Sequence, residues 1–292
     1  GTVGMISPWN FPVNLAFVPL VSIFAAGNQV MHKPSEHTPI TAALLKELCD
    51  KFYDQTEFAT FLGGPEVGES FTKLSFDHLL YTGGGSVAKH VMNAASENLV
   101  PCTLELGGKS PVVISKTADL KTTAKRIMFG KTLNAGQICL APDYVVVHKD
   151  QKDEFIEETK NAVSEYFPYL KDNEDYTSVI NEKHYDRLKD LLNDAIEKGA
   201  KIDEINPANE DFSQQEFYKI PPTIVTDTTD DMKIMQEEIF GPLLPVVEYD
   251  EIEEATTLIN SKDRPLGLYY FGTNKSEEDN LLNKTSSGGV TV

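Results

Sequence analysis

The stretch LELGGK, residues 104–109, decides how this sequence divides. Its first three residues have the pattern of an apolar strand with one carboxylate in it, and two glycines then interrupt the strand. Because two glycines let the chain leave one sheet and enter another, we place a domain boundary at this pair. We therefore expect a first domain over residues 1–106 and a second over 107–286, with 287–292 starting a further strand.

On both sides of the boundary, apolar strands alternate with amphipathic helices, which predicts an α/β fold. The predicted strands are residues 29–33, 78–82, 111–114, 144–148, 243–249 and 267–272. The predicted helices are residues 40–52, 86–96, 120–129, 152–167, 183–198, 252–260 and 277–282. The polar stretch 205–215 is predicted to be a surface loop or hairpin. Helix 40–52 is expected to bury one face made of Ile40, Leu44, Leu45, Leu48 and Phe52.

Composition excludes several classes of protein. The 292 residues are 40% hydrophobic, enough for a sizeable core, and their formal net charge of −19 repels nucleic acid. Three cysteines without a CxxC pair argue against a disulfide framework and favour a reducing, cytoplasmic location. The six histidines show no metal-ligand spacing, and no apolar run reaches membrane-spanning length.

The two ends of the sequence read as cuts through structured regions. The chain starts at Gly1 without a methionine, and it ends inside the strand-like residues 289–292. We therefore expect this sequence to be a fragment of a longer protein.

Two residues are candidates for covalent chemistry. In NAGQIC, residues 134–139, Cys139 follows a turn of small residues, where an exposed thiolate would be a strong nucleophile. The alternative is a buried structural cysteine. If the strand containing Glu105 is buried, desolvation would raise the proton affinity of that carboxylate, so that it could act as a base at neutral pH. The alternative is a glutamate that faces solvent from an edge strand.

Two loops offer polar groups for a ligand. In SPWNFP, residues 7–12, two prolines fix the path of the chain, and Asn10 offers a neutral amide suited to an oxyanion. In HKPSE, residues 32–36, Lys33 and Glu36 could both reach a ribose. A turn asparagine and an exposed charged loop are the respective alternatives.

Two further motifs stand beside predicted elements. In YTGGG, residues 81–85, a strand passes into a helix, and the backbone N–H groups at such a helix start suit a pyrophosphate. The motif is not GxGxxG, since residue 88 is alanine, so a plain helix start is equally consistent. EEIFGP, residues 237–242, combines acidic, aromatic and turn residues, and its alternative is a simple loop before strand 243–249.

Taken together and in this order, these six motifs resemble the NAD(P)-dependent aldehyde dehydrogenase superfamily, over residues 1–292. The runs CLAPDY at 139–144, LYYFG at 268–272 and SGGVT at 287–291 are similar to its class 3 and coniferyl-aldehyde-dehydrogenase-like branch. The resemblance implies a Rossmann-type NAD(P)-binding domain, incomplete here, and an α/β catalytic domain. It also implies that residues 287–292 lead into a missing C-terminal oligomerisation segment, and that the full-length protein is a homodimer.

The resemblance also implies a role for each matching residue. Cys139 matches the catalytic nucleophile, Glu105 the general base and Asn10 the amide that holds the oxyanion. The implied cofactor-binding residues are Lys33 and Glu36 at the adenosine ribose, Gly84 at the start of the pyrophosphate-facing helix, Glu238 at the nicotinamide ribose, and Phe240 and Trp9.

The implied reaction oxidises an aldehyde, aromatic or of medium chain length, to its acid through a Cys139 thiohemiacetal and thioester. Glu36 would repel a 2′-phosphate, which favours NAD, although Lys33 could tolerate NADP. One alternative is a CoA-acylating aldehyde dehydrogenase, against which Glu105 argues because thiolysis needs no base. Another is an aldehyde dehydrogenase fold that is truncated or catalytically silent.

Overall fold

The computed structural model describes all 292 residues and divides them into two compact units, Gly1–Leu106 and Gly107–Val292. Each unit is built on one sheet with helices packed against it. The α/β fold class expected from the sequence is confirmed. No helix in the structure combines the length and the apolar composition needed to cross a membrane.

The first unit contains a parallel sheet of five strands in the order β3-β2-β1-β4-β5. Its elements are β1 (Thr2–Ser7), α1 (Asn14–Ala25), β2 (Gln29–Pro34), α2 (Pro39–Phe52), β3 (Phe58–Thr60), α3 (Pro65–Thr72), β4 (His78–Thr82), α4 (Gly85–Ser96) and β5 (Cys102–Glu105). The predicted strands and helices of this region are confirmed. The elements β1, α1, β3 and α3 were not predicted from the sequence.

The strand order places a topological switch point at the centre of this sheet. From β1 the chain moves outward to β2 and β3, and it then returns to β4, on the other side of β1, and to β5. Ligands of open α/β sheets bind at the carboxyl ends of the strands that flank such a point. Here those ends lead into the loop after Ser7 and the turn after Thr82.

The predicted buried face of α2 was partly wrong. Leu45 is buried, but Ile40, Leu44 and Phe52 are exposed, Ile40 by 86%. The buried residues of α2 are instead Ala42, Leu45 and Cys49, spaced at three and four positions as one helical face requires. The helix is apolar over a wider arc than the sheet covers, so its periodicity alone did not identify the inward side.

The second unit contains seven strands in the order β12-β11-β6-β7-β10-β9-β8, all parallel to their neighbours except β8. Its elements are β6 (Pro111–Ile114), α5 (Leu120–Thr132), β7 (Tyr144–His148), α6 (Lys152–Tyr166), α7 (Glu182–Glu197), β8 (Lys201–Glu204), β9 (Thr223–Thr226), α8 (Lys233–Gln236), β10 (Leu243–Tyr249), α9 (Ile252–Asn260), β11 (Gly267–Phe271), α10 (Lys275–Lys284) and β12 (Gly289–Thr291). The predicted elements are confirmed, and residues 205–215 contain no helix or strand. The short elements β8, β9 and α8 were missed.

The central strands of this sheet are buried on both faces, as their uninterrupted apolar sequences require. Along β6 and β7, alternate side chains enter two separate cores. Val113 and Val146 pack in the core that contains Leu188 of α7, whereas Val112 and Val145 pack on the opposite side. A single rigid sheet therefore supports the loops at its edges.

Candidate active site

Cys139 follows a left-handed turn. Asn134, Ala135 and Gly136 have φ angles of +51°, +52° and +72°, and together with Leu133 they form a short 3-10 turn after α5. Glycine and, to a lesser extent, asparagine tolerate such angles, so the strain of this turn falls mainly on Ala135. The small-residue turn expected before Cys139 is confirmed. Backbone strain of this kind concentrates at functional sites.

Gln137 fixes the turn to its surroundings. Its buried side-chain amide donates to the carbonyl oxygens of Asn134 at 2.9 Å and of Ser178 at 3.1 Å, and its Oε1 accepts from the backbone of Ile180 at 2.9 Å. A second turn, closed by a bond from the backbone of Ala141 to Ile138, follows directly. The backbone is thus held on both sides of Cys139.

Cys139 is half-buried and forms no disulfide. The Tyr269 hydroxyl donates to the carbonyl of the next residue, Leu140, at 2.5 Å. Burial, and then the nearby charge of a Cys139 thiolate, raise the pKa of Tyr269. Both chain neighbours of Cys139, Ile138 and Leu140, line a largely apolar cavity of about 310 Å³. Cys139 itself does not line this cavity, whose walls also include Thr291 and Val292.

The turn before Cys139 packs directly against the segment that carries Glu238 and Phe240. A Cβ atom added to Gly136 would lie only 2.4 Å from the carbonyl oxygen of Gly241 and 2.9 Å from that of Lys131. Glycine is therefore required at this close approach. Phe240 itself has a φ of +50°, so both segments are strained close to their contact.

The Glu238 carboxylate lies against the glycine pair at the start of the second unit. A Cβ atom at Gly107 would fall 2.0 Å from Glu238 Oε1, and the backbone of Gly108 donates a hydrogen bond to the carboxylate. Burial raises the pKa of Glu238 to about 7, against the lowering effect of that bond. Oε1 is buried and has no hydrogen-bond partner, and Glu238 lines a cavity of about 470 Å³.

Three charged residues that the sequence analysis did not single out hold the backbone around Glu238. They are Lys109 before β6, Asp143 before β7, and Arg187 in α7. Lys109 and Asp143 are both buried and form an ion pair. The sequence did contain a signal for two of them, because a charged residue stands close before each buried strand. Lys109 ends LELGGK, residues 104–109, and Asp143 lies in CLAPDY, residues 139–144.

Lys131, in the last turn of α5, was missed as well. It is fully buried, and desolvation lowers its pKa to about 8, although the charge of Asp143 acts in the opposite direction. Together with Lys109 and Glu238 it forms a cluster of interacting charges beneath the Cys139 turn.

Of the two alternatives that the sequence left open for Glu105, the structure shows the glutamate that faces solvent from an edge strand. Glu105 is the last residue of β5, which forms an edge of its sheet, and its side chain is exposed. The edge strand has only β4 as a neighbour. The carboxylate nevertheless lies at the carboxyl end of a parallel strand, where ligands of such sheets bind.

Asn10 and Trp9 lie in the loop after β1, beside the switch point of the first sheet. The start of this loop is fixed, because Ser7 Oγ and His32 Nε2 share a buried hydrogen bond of 2.8 Å. Burial, and then the charge of Lys33, lower the pKa of His32 to about 3, so this histidine is neutral at physiological pH.

Lys33 and Glu36 form an ion pair of 2.7 Å at the end of β2. The Lys33 side chain is buried, whereas that of Glu36 is 33% exposed. Burial raises the pKa of Glu36, but the hydrogen bond from Lys33 and its backbone and charge interactions outweigh this and leave the pKa below 4.5. The structure thus brings together the two residues predicted to bind a ribose.

Gly84 is the N-cap residue of α4, directly after β4. Its carbonyl accepts a bond of 3.3 Å from the Tyr81 hydroxyl. A Cβ atom at Gly84 or Gly85 would meet nothing within 4 Å, so the helix start is open. With the switch point beside it, this backbone fits the phosphates of a dinucleotide.

The predicted residues fall into two groups. The second unit brings together Cys139, Glu238 and Phe240 through the contact between Gly136 and Gly241. The first unit contains the remaining candidates, Trp9, Asn10, Lys33, Glu36, Gly84 and Glu105. No group of three or more His, Cys, Asp or Glu side chains is arranged to hold a metal ion.

Comparison with known proteins gives one consistent result. The model of the aldehyde dehydrogenase family matches residues 1–292. The "Probable coniferyl aldehyde dehydrogenase" of Caulobacter vibrioides is 61% identical over 292 residues, and the coniferyl aldehyde dehydrogenase of Pseudomonas sp. strain HR199 is 52% identical. Rat aldehyde dehydrogenase family 3 member A2 is 41% identical over 293 residues. All three alignments cover the whole chain, but only 60%, 61% and 58% of the relatives.

Solved structures agree with these relatives. The substrate-bound state of Staphylococcus aureus AldH has a TM-score of 0.92 and 40% identity, covering 100% of this chain and 62% of that one. The betaine aldehyde dehydrogenase of the same species, in complex with NAD+, has a TM-score of 0.90 and 28% identity, covering 99% and 58%. The chain thus spans about three fifths of the length of the proteins it matches.

Proposed function

Since the chain belongs to the aldehyde dehydrogenase family, we propose that it oxidises an aldehyde to the carboxylic acid, with Cys139 as nucleophile and NAD(P)+ as oxidant. One observation carries this proposal: the strained turn that presents Cys139 packs against the segment of Glu238. The contact between Gly136 and Gly241 thus fixes the half-buried Cys139 turn relative to the segment that contains the Glu238 carboxylate.

In the first half of the reaction, the Cys139 thiolate attacks the carbonyl carbon of the aldehyde and forms a thiohemiacetal. The resemblance to the family assigns the side-chain amide of Asn10 and the backbone N–H of Cys139 as the neutral donors that would stabilise the new oxyanion. Within the second unit, the hydrogen bonds of Gln137 hold the turn before Cys139. Within the first unit, the Ser7–His32 bond fixes the start of the loop that contains Asn10.

A bound nicotinamide cofactor would accept the hydride that leaves the thiohemiacetal carbon. Glu238 would hold the adjacent ribose, because it lines the cavity of about 470 Å³ and a carboxylate accepts hydrogen bonds from hydroxyl groups. Loss of hydride leaves a thioester on Cys139. Glu105 would then take a proton from water, the resulting hydroxide attacks the thioester, and the carboxylic acid and the Cys139 thiolate are released.

The chemistry of the first unit supports NAD rather than NADP as the cofactor. The Glu36 carboxylate is partly exposed and is held in place by Lys33, with its pKa kept low. A carboxylate at the adenosine ribose accepts hydroxyl groups and repels a 2′-phosphate. NADP remains the second candidate, because Lys33 could offset part of this repulsion.

We propose an aromatic or medium-chain aldehyde as substrate. The cavity beside Cys139 includes Leu133, Leu140 and Tyr269 in its walls, and two of the relatives are named for coniferyl aldehyde, which is aromatic. Three cysteines without a CxxC pair, none of them in a disulfide, support the proposal of a cytoplasmic location. A homodimer of the full-length protein stays a prediction.

The test is a panel of aldehydes assayed with NAD+ and with NADP+ on this chain and on the full-length protein. Cys139→Ser should abolish reduced-cofactor formation, because a serine hydroxyl is not ionised at neutral pH. Cys102→Ser is the matched control, since Cys102 is also partly buried and outside any disulfide, and it should retain activity. Full activity of Cys139→Ser would remove Cys139 from the mechanism.

The same panel separates the rival functions. A CoA-acylating enzyme would give acyl-CoA in place of free acid when CoA is present. A catalytically silent fold would give no product with any aldehyde in either form of the protein. Free acid formed without CoA is the result that we expect.

A further inference from the structure

Charged side chains hold the backbone on both sides of the Glu238 carboxylate. Lys109 Nζ donates to the carbonyl of Ile234 at 2.7 Å and to that of Glu237 at 2.9 Å. Arg187 donates to the carbonyls of Glu238, at 3.3 Å, and Ile239. The three successive carbonyls of residues 237–239 therefore all accept bonds from cations.

Asp143 completes this arrangement. Its Oδ1 pairs with Lys109, and its Oδ2 accepts from the backbone of Ile239 at 2.9 Å. Lys109 and Asp143 are 7% and 3% exposed, so the pair is desolvated. The ring of Tyr144, whose centre lies 5.7 Å from Lys109 Nζ, adds a cation–π contact.

A desolvated pair is a poor source of stability on its own, because the cost of removing two charges from water offsets their attraction. The contacts of this pair are concentrated on residues 234–239, and Lys109 directly follows the two glycines against which the Glu238 carboxylate rests. One loop thus contacts both the side chain of Glu238 and the backbone that carries it. Phe240, in a left-handed conformation, comes directly after the last of these bonds.

We propose that Lys109 and Asp143 are positioning residues, which hold segment 234–239 in the conformation that presents the Glu238 carboxylate to the cofactor. This inference rests on the proposed function, in which Glu238 receives the nicotinamide ribose. Neither residue touches the reacting atoms in this role, and both act through Glu238.

The first measurement needs no cofactor. Amide hydrogen exchange is followed in the cofactor-free full chain for wild type and for Lys109→Met, with the Ile239 amide as the reporter. We expect exchange at Ile239 to become about tenfold faster, because its acceptor Asp143 loses the cation that fixes it. Unchanged protection at residues 234–239 would contradict the positioning role.

The second measurement is a double-mutant cycle on NADH binding, followed by fluorescence titration. Lys109→Met should raise the Kd for NADH about tenfold in wild type and by less than about twofold in Glu238→Gln, where the carboxylate is already absent. Equal losses in both backgrounds would show that Lys109 acts independently of Glu238 and would overturn the inference.

Two further variants cover a failure of Lys109→Met to fold and control for the loss of a buried lysine. If Lys109→Met does not fold, Lys109→Met/Asp143→Leu removes both charges and leaves neither member of the pair buried alone. Lys219→Met is the matched control, because Lys219 is also buried, at 7% exposure, and donates to two carbonyls, those of Leu170 and Asn173. It should lose stability but keep the NADH affinity and the Ile239 protection of wild type.

The outcomes also separate this inference from the proposed function. An NADH affinity that Glu238→Gln leaves unchanged would reject the cofactor role of Glu238 itself, and the inference with it. Weaker binding in Glu238→Gln without any loss in Lys109→Met would reject only the inference.

Discussion

The raised pKa of Glu238 predicts that cofactor binding strengthens as the pH rises. In the cofactor-free protein, burial places this pKa at about 7, because the carboxylate is desolvated against Gly107 and its Oε1 has no partner. Hydrogen bonds from ribose hydroxyl groups would favour the ionised form, so binding should lower the pKa and release a proton.

The size of the effect follows from the ionised fraction. With a pKa of about 7, about one molecule in ten has an ionised Glu238 at pH 6, and about nine in ten have one at pH 8. If the ionised form binds, the apparent Kd for NADH at pH 6 is about tenfold higher than at pH 8. The affinity should level off above pH 8, where no further carboxylates ionise.

Stability should change in the opposite direction. The folded-state pKa of Glu238 lies above its ordinary value of 4.5, so between these two values the folded state binds more protons than the unfolded state. The free energy of unfolding therefore falls as the pH rises from about 4.5 to about 7, by roughly 3 kcal/mol for this one group. The same carboxylate thus weakens the fold at the pH where it favours the cofactor.

The assay is NADH fluorescence titration of wild type and Glu238→Gln at pH 6, 7 and 8. Wild type should show the tenfold change, and Glu238→Gln, which cannot ionise, should show a flat profile. Equal affinities of wild type at pH 6 and pH 8, or the same slope in both proteins, would refute the reasoning.

Two further predictions concern other parts of the site. Glu36→Gln should raise kcat/KM for NADP+ relative to NAD+ by about tenfold, because it removes the carboxylate that repels a 2′-phosphate; a ratio unchanged in steady-state assays would count against the assignment of Glu36. Gly136→Ala should lower the melting temperature by several degrees and impair aldehyde oxidation, because its Cβ would collide with the carbonyl of Gly241. Gly199→Ala controls for backbone strain alone, since Gly199 also has a positive φ but has open space around it. Equal effects of the two variants would show that the collision does not matter.

Periodicity and glycine positions were sufficient to predict the α/β class and most strands and helices of the second unit. The strands β6 and β7 are runs of apolar residues that only a sheet covered on both faces can bury. Prediction was weakest for elements that are short or that have no alternation of polar and apolar residues. Strand β3 has three residues, and α1 contains Pro19 and no polar face.

In the candidate site, features set by neighbouring residues could be predicted from the sequence, whereas features set by the order of the strands could not. The turn before Cys139 could be predicted, because Asn134 and Gly136 are residues that favour left-handed backbone. For Glu105 the sequence left a buried strand and a solvent-facing edge strand open, because the choice depends on β5 being the edge of its sheet. The pairing of Lys109 with Asp143 was equally hidden, because 34 positions separate the two residues and only the order of β6 and β7 brings them together.

The most direct test of the central claim is to trap the thioester on Cys139. The full-length Glu105→Gln protein is mixed with NAD+ and coniferyl aldehyde, quenched with acid and analysed by peptide mass spectrometry. We predict one equivalent of NADH per site and an acyl adduct on the peptide that contains Cys139, because acylation proceeds while hydrolysis lacks its base. NADH production without an adduct at Cys139, or an adduct on Cys49 or Cys102 instead, would contradict the mechanism.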